Sequence, residues 1–176
     1  MTTIIGVQTD RGCLLAADSR VTTDKGRPAQ HLSVSKISKI GRYLVAGAGM
    51  AQPCDVIQHC WKPPSISKAA NKDPFHFAVT ELIPSLRELL NTHQVAVKSE
   101  EDGFELLVAF RGRLVEIDSD FNVSMRDDGI YGLGSGSDFA IGALLAGATW
   151  KRALQIAAAN DVNTGPPFHV VRQMMD

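Results

Sequence analysis

Three residues in the first quarter of the chain have the types that acyl transfer needs: Thr2, Asp18 and Lys36. A methionine before a small residue is normally trimmed during synthesis. The trimmed chain starts at Thr2, where hydroxyl and α-amine are covalent neighbours. An α-amine titrates near about 7.7–8.0, so a useful minority is neutral at pH 7 and takes the hydroxyl proton, directly or through a water. A nearby ammonium pushes that amine further toward its neutral form, which calls for a lysine. The lysine needs a carboxylate to stay charged when water is removed from around it. Asp18, closing the second strand, and Lys36, opening the third, suit these two roles.

The elements that must position these groups follow from hydrophobic periodicity and turn residues. Residues 2–8 and 12–17 read as two strands of a hairpin, and residues 36–40 and 42–49 as a second pair turning at Gly41. Residues 50–61 read as a helix that tolerates Pro53 in its first turn, and residues 62–73 as a loop. Phe77, Leu82, Ile83, Leu86, Leu89 and Leu90 recur at helical spacing, which predicts a long amphipathic helix over 75–94, bent or restarted near Pro84. Short strands over 104–111, 113–118, 122–127 and 129–133 read as a meander. Alanine-rich helices over 139–146 and 150–159 follow, then a last strand over 168–172. Clustered strands separated by long helices predict an α+β fold: two antiparallel sheets packed together and covered by helices, a four-layer αββα sandwich.

The 176 residues fit one domain spanning 1–176, and at that size a hydrophobic core suffices without metals or disulfides. Eighteen Lys and Arg against nineteen Asp and Glu leave a net charge of −1, which gives no field to draw in nucleic acid or an anionic membrane. No basic start with a long apolar core marks a secretory signal, and no apolar run approaches the ~20 residues that span a bilayer. A soluble cytoplasmic protein is expected. Cys13, Cys54 and Cys60 cannot all pair and lack zinc or redox spacing, so free thiols are expected. The five histidines show no metal-binding spacing, and the adjacent His59 and Cys60 point different ways on a helix. No cofactor or metal is expected.

With these residues in view, the chain resembles the proteasome β-subunits and the bacterial HslV-type peptidases, which are N-terminal-nucleophile hydrolases. Thr2-Thr3-Ile4-Ile5-Gly6-Val7 is similar to their mature N-terminus, and Ala16-Ala17-Asp18-Ser19-Arg20 to the segment supplying their lysine-pairing aspartate. The sixteen-residue interval from Thr2 to Asp18 agrees with the family. Lys36 resembles the family's active-site lysine, with Lys39 the weaker candidate. Ala46-Gly47-Ala48-Gly49 resembles the turn whose backbone N–H serves as oxyanion hole, with Gly47 favoured and Gly49 open. Gly134-Ser135-Gly136 is similar to the segment whose serine lies by the nucleophile's amine. Asp161-Val162-Asn163-Thr164-Gly165 resembles the D-x-x-S/T-G segment, whose Asp and hydroxyl also hold that amine.

The resemblance implies a threonine-type endopeptidase working through an acyl-enzyme ester on polypeptide substrates. It also implies homo-oligomeric stacked rings enclosing a chamber, with an ATP-dependent unfoldase controlling access. Val21, Val34 and Ala48 fall where the family shapes its specificity pocket, and their small size hints at no strong charge selection. Each residue also has a plainer role open to it: Thr2 and Thr3 as strand residues, Asp18 with Lys36 as a structural ion pair, Ser135 as a helix N-cap, Asp161 as a helix end. Two other functions use the same chain: an N-terminal-nucleophile amidase acting on small amides, and a non-catalytic assembly or binding module.

Overall fold

Ile4 and Ile5 are both fully buried, and they are buried in different places. Successive side chains of a strand point to opposite faces. Ile4 therefore joins Leu15, Leu44, Leu107 and Leu114 in one apolar layer, while Ile5 joins Ala16, Ala140, Ala153 and Leu154 in another. A strand buried on both faces has to lie inside a stack of layers. That is the architecture of the computed structural model, which describes residues 2–22, 28–29, 35–67, 69–95 and 103–175.

The first sheet is built on the hairpin of β1 (Ile4–Thr9) and β2 (Gly12–Ala17), with Ile4 opposite Ala17 and Thr9 opposite Gly12. A short two-stranded ribbon follows, β3 (Val21–Thr22) and β4 (Pro28–Ala29). The second sheet runs in sequence order through β5 (Ile37–Ile40), β6 (Tyr43–Gly49), β7 (Phe104–Phe110), β8 (Arg113–Asp118) and β9 (Val123–Ser124). β10 (Ile130–Leu133) and β11 (His169–Met174) complete the first sheet in the order β10-β1-β2-β11. Every pairing among the described residues is antiparallel.

Leu107 and Ala109 of β7 face the first sheet, whereas Leu106, Val108 and Phe110 face helices. Those helices are α1 (Ala51–Cys60), α2 (Ala69–Lys72), α3 (Pro74–Phe77) and α4 (Ile83–Thr92), whose Ile57, Ala70, Phe77, Leu86 and Leu90 fill the outer core of the second sheet. On the outside of the first sheet lie α5 (Ser137–Leu145) and α6 (Trp150–Asn160), carrying Ala140, Ala153, Leu154 and Ala157. The order helix, sheet, sheet, helix is the four-layer αββα sandwich expected from the pattern of elements.

The structure corrects four local expectations. Residues 62–73, expected as loop, contain α2. The helix expected to bend or restart near Pro84 does not restart there. It passes through a π-helical turn at Ala78–Leu82, with the Ile83 N–H bonded to the Ala78 carbonyl. A proline removes one N–H and crowds the carbonyl four residues back, and a wider turn relieves both. Strand β9 is two residues long where residues 122–127 were expected. The four late strands are not one meander, because β10 leaves β9 and pairs with β1, Ile4 opposite Leu133.

Candidate active site

Thr2 enters β1 with 8% of its surface exposed, at the junction of two cavities. One, of about 460 Å³, is lined by Thr2, Lys36, Gly47, Ala48, Cys54 and Asp55 among others. The second, of about 440 Å³, shares Thr2 and Gly49 and is walled by Phe104, Glu105, Gly134 and Ser135. Alternation along β1 directs Thr2 to the same side as Ile4 and Thr3 to the same side as Ile5.

Asp18 lies behind this junction, fully buried, and its carboxylate is saturated with donors. Oδ1 accepts from Lys36 Nζ at 2.6 Å and from the Thr3 N–H at 3.0 Å. Oδ2 accepts from the N–H groups of Arg20 and Gly165, each at 3.0 Å. Lys36 also donates to the Arg20 carbonyl at 2.7 Å, so its ammonium is fixed from two sides. Burial pulls Lys36 below the ordinary lysine range, while the Asp18 carboxylate, and the Asp161 carboxylate beyond it, favour the charged form. The Asp18 N–H returns to the Thr3 carbonyl at 3.1 Å, which locks the residue after Thr2 onto the aspartate through both of its backbone groups.

A second polar chain holds the other face of the same strand. Ser135 Oγ donates to Asp161 Oδ2 at 2.8 Å and Thr164 Oγ1 donates to that oxygen at 2.6 Å. Thr164 and Thr3 hydroxyls are themselves hydrogen-bonded, and since the Thr164 proton goes to Asp161, Thr3 is the donor between them. Burial acts to raise the Asp161 carboxyl, but hydrogen bonds from Thr164, Ser135 and Asn163 outweigh it and hold it below the usual carboxylate range. Thr3 thus ties the chain following Thr2 to both Asp18 and Asp161.

Two glycines show how tightly this corner is built. A Cβ at Gly136 would overlap Thr3 Oγ1 and lie 2.6 Å from Thr164 Oγ1. Gly134 has φ +83°, and a Cβ there would meet the Thr2 carbonyl oxygen. Only glycine fits such a backbone and such an approach.

The structure therefore gathers Thr2, Lys36 and Gly47 on one cavity, with Asp18 behind them, Ser135 beside Thr2 on the second cavity, and Asp161 with Thr164 behind Thr3. Lys39 belongs elsewhere: it lines a different cavity at the opposite end of β5. Gly47 and Gly49 both reach the wall of the Thr2 cavity, whereas the Met50 N–H is engaged by the Gly103 carbonyl at 3.0 Å. Val21 and Ala48 line the same wall, joined by Asp55, and Val34 lies outside the described residues. Cys54 is a second nucleophile type in this cavity, but burial pushes its thiol up to about 12, leaving almost no thiolate at neutral pH. Sequence reasoning missed Thr3, Arg20, Gly136 and Gly165; the alternation of β1 was the one signal that set Thr3 facing away from Thr2, toward Thr164 and Gly136.

No protein-family model matches the chain, and no curated protein matches it. Solved structures do. Thiobacillus denitrificans BPH, solved in complex with epoxomicin, superposes with a TM-score of 0.75 at 22% identity over 99% of both chains. Eukaryotic HslV from Trypanosoma brucei gives 0.69 at 23% identity, covering 97% of this chain and 98% of its own. Anbu, an ancestral β-subunit from Yersinia bercovieri, gives 0.67 at 15% identity, covering 97% and 80%. The chain shares the four-layer αββα fold of these HslV-like structures.

Proposed function

We propose that this chain is a threonine-type endopeptidase in which Thr2, freed of Met1, is the nucleophile. The observation that carries the reading is the sharing of Asp18 Oδ1 between the Lys36 ammonium and the Thr3 N–H, immediately beside a cavity that Thr2 lines. Thr2 Oγ attacks the scissile carbonyl carbon and its proton passes to the Thr2 amine. The tetrahedral intermediate collapses to an ester on Thr2 as the C–N bond breaks, and the same amine hands the proton to the leaving nitrogen. Water then cleaves the ester by the reverse sequence. Lys36 lowers the proton affinity of the amine, Asp18 keeps Lys36 in place, and a backbone N–H of the Gly47–Gly49 wall receives the oxyanion. Ser135, Asp161 and Thr164 orient the terminus. Every proton in this scheme moves between protein groups, substrate and water.

The assembly that accompanies this reading is a stacked homo-oligomeric ring of single 1–176 domains, cytoplasmic, enclosing the Thr2 cavities and supplied with polypeptide by an ATP-dependent unfoldase. The likeness of fold to HslV and Anbu supports it. No helix among the described residues is long and apolar enough to cross a membrane.

The test uses epoxomicin, the compound bound by Thiobacillus denitrificans BPH. Intact-mass analysis should show the chain without Met1 and one adduct, mapping to Thr2 and missing from Thr2→Ala. A retained Met1 with no adduct would favour the non-catalytic reading, and hydrolysis of small acyl amides without peptides would assign the same groups to an amidase.

A further inference from the structure

The end of the sandwich away from Thr2 holds a cavity of a different character. The β5–β6 turn, the β7–β8 turn and the end of β11 surround about 300 Å³ lined by Lys39, Arg42, Arg111 and Arg172, and no carboxylate is among the described residues of its lining. β6 connects the two sites, with Tyr43 at this end and Gly49 at the Thr2 cavity, roughly 20 Å of extended chain. In a protein of net charge −1, four cationic residues lining one cavity are a local concentration that the overall composition does not explain.

Arg111 is held there at a cost. It has φ +50° and is followed by Gly112 at φ +74°, the left-handed pair of a tight two-residue hairpin turn, where Asn-Gly is the favoured sequence. Its Nε is buried with no hydrogen-bond partner among the described residues, and a buried unpaired donor destabilises a fold. Asparagine would remove both penalties, so the guanidinium needs another reason. The supporting frame is also built for rigidity: the Gly112 N–H donates to Gln173 Oε1 at 2.7 Å and Gln173 Nε2 donates to the Arg42 carbonyl at 2.8 Å. One glutamine amide thereby fixes both turns that carry the cations.

We propose that this cavity binds a compact, multiply charged oxyanion, of the diphosphate or polycarboxylate kind. Guanidinium forks match phosphate and carboxylate oxygens, and charge-assisted bonds in a preorganised frame suit an anion with several acceptors. The site is separate from the Thr2 cavities and its test needs no peptide hydrolysis.

The experiment is calorimetric titration of the purified chain with pyrophosphate and, in parallel, with citrate, at ionic strength held constant with chloride. Saturable binding of one of the two is expected, and which one binds more tightly separates phosphate from carboxylate recognition. Arg111→Asn should weaken binding by roughly tenfold or more, the loss of one charge-assisted contact. Its unliganded melting temperature should be equal to or higher than that of the parent, since asparagine suits the turn. Arg172→Gln should weaken binding similarly, and Lys151→Gln, on α6, should leave it unchanged. Absence of saturable binding above chloride, or binding indifferent to Arg111→Asn and Arg172→Gln, would overturn the proposal.

Discussion

The Lys36 ammonium rests 2.6 Å from Asp18 Oδ1, with 7% of the lysine side chain and 0% of the aspartate exposed. Ions so far from water are held by each other and by their remaining hydrogen bonds, and removing one partner leaves the other uncompensated.

Asp18→Asn is therefore expected to destabilise the chain by about 3–5 kcal/mol, the range for breaking a buried pair. The double variant Asp18→Asn/Lys36→Met should recover part of that loss, because no buried charge is left over. Urea unfolding midpoints of the three proteins check this. A double variant less stable than Asp18→Asn alone would mean that the pair is not the source of the cost.

Gly136→Ala forces a methyl against the Thr3 and Thr164 hydroxyls. A loss of about 1–3 kcal/mol is expected from overpacking, together with loss of peptide turnover, since the displaced groups hold the strand that carries Thr2. Thermal melts and hydrolysis assays on the same preparations test both halves. Unchanged turnover would detach the Thr3–Thr164–Asp161 chain from the site.

Asp161 gives a dependence on pH. Its carboxyl is held below the ordinary range in the fold by the Thr164, Ser135 and Asn163 bonds that outweigh burial. The unfolded chain, with a carboxyl titrating near about 3.9, then binds more protons there as pH falls. The contribution is complete above that value and disappears as pH drops through the lower folded one. Melting temperatures should be lower for Asp161→Asn than for the parent at pH 7, with the gap closing toward pH 2–3. A gap independent of pH would show that the ionised carboxylate is not what stabilises this corner.

The layered fold was legible because its determinants are local. The alternation of Ile4 with Ile5 and the helical spacing of Leu82, Leu86 and Leu90 specify which faces must be covered, and Asp18 and Lys36 stand at strand ends that meet in one ion pair. What was not legible is pairing over long separations. Nothing local in Ile130–Leu133 says that it pairs with β1 instead of β9, because strands present the same backbone groups to any neighbour. Thr3 escaped notice for a related reason. Its partners, Asp18 and Thr164, lie 15 and 161 residues away, and only the assembled layers bring them together. The basic cavity is likewise a product of two turns and a strand end distant in sequence.

Gly47 offers a test of how the cavity wall is packed. A Cβ there would come within 2.7 Å of Cys54 Sγ, so Gly47→Ala should cost about 1–3 kcal/mol. Adding Cys54→Ala should restore part of the stability, and a double-mutant cycle measures the coupling. Strictly additive losses would contradict the contact. Cys54→Ala alone should retain turnover, since the buried thiol is not ionised at neutral pH.

The account depends most on Thr2, and the most direct measurement is peptide hydrolysis by Thr2→Ala against the parent, with circular dichroism and oligomer mass matched between them. The prediction is that turnover falls to background while fold and assembly are unchanged. Turnover equal to the parent's would contradict it, whatever the cavity, the Asp18–Lys36 pair or the likeness of fold suggest.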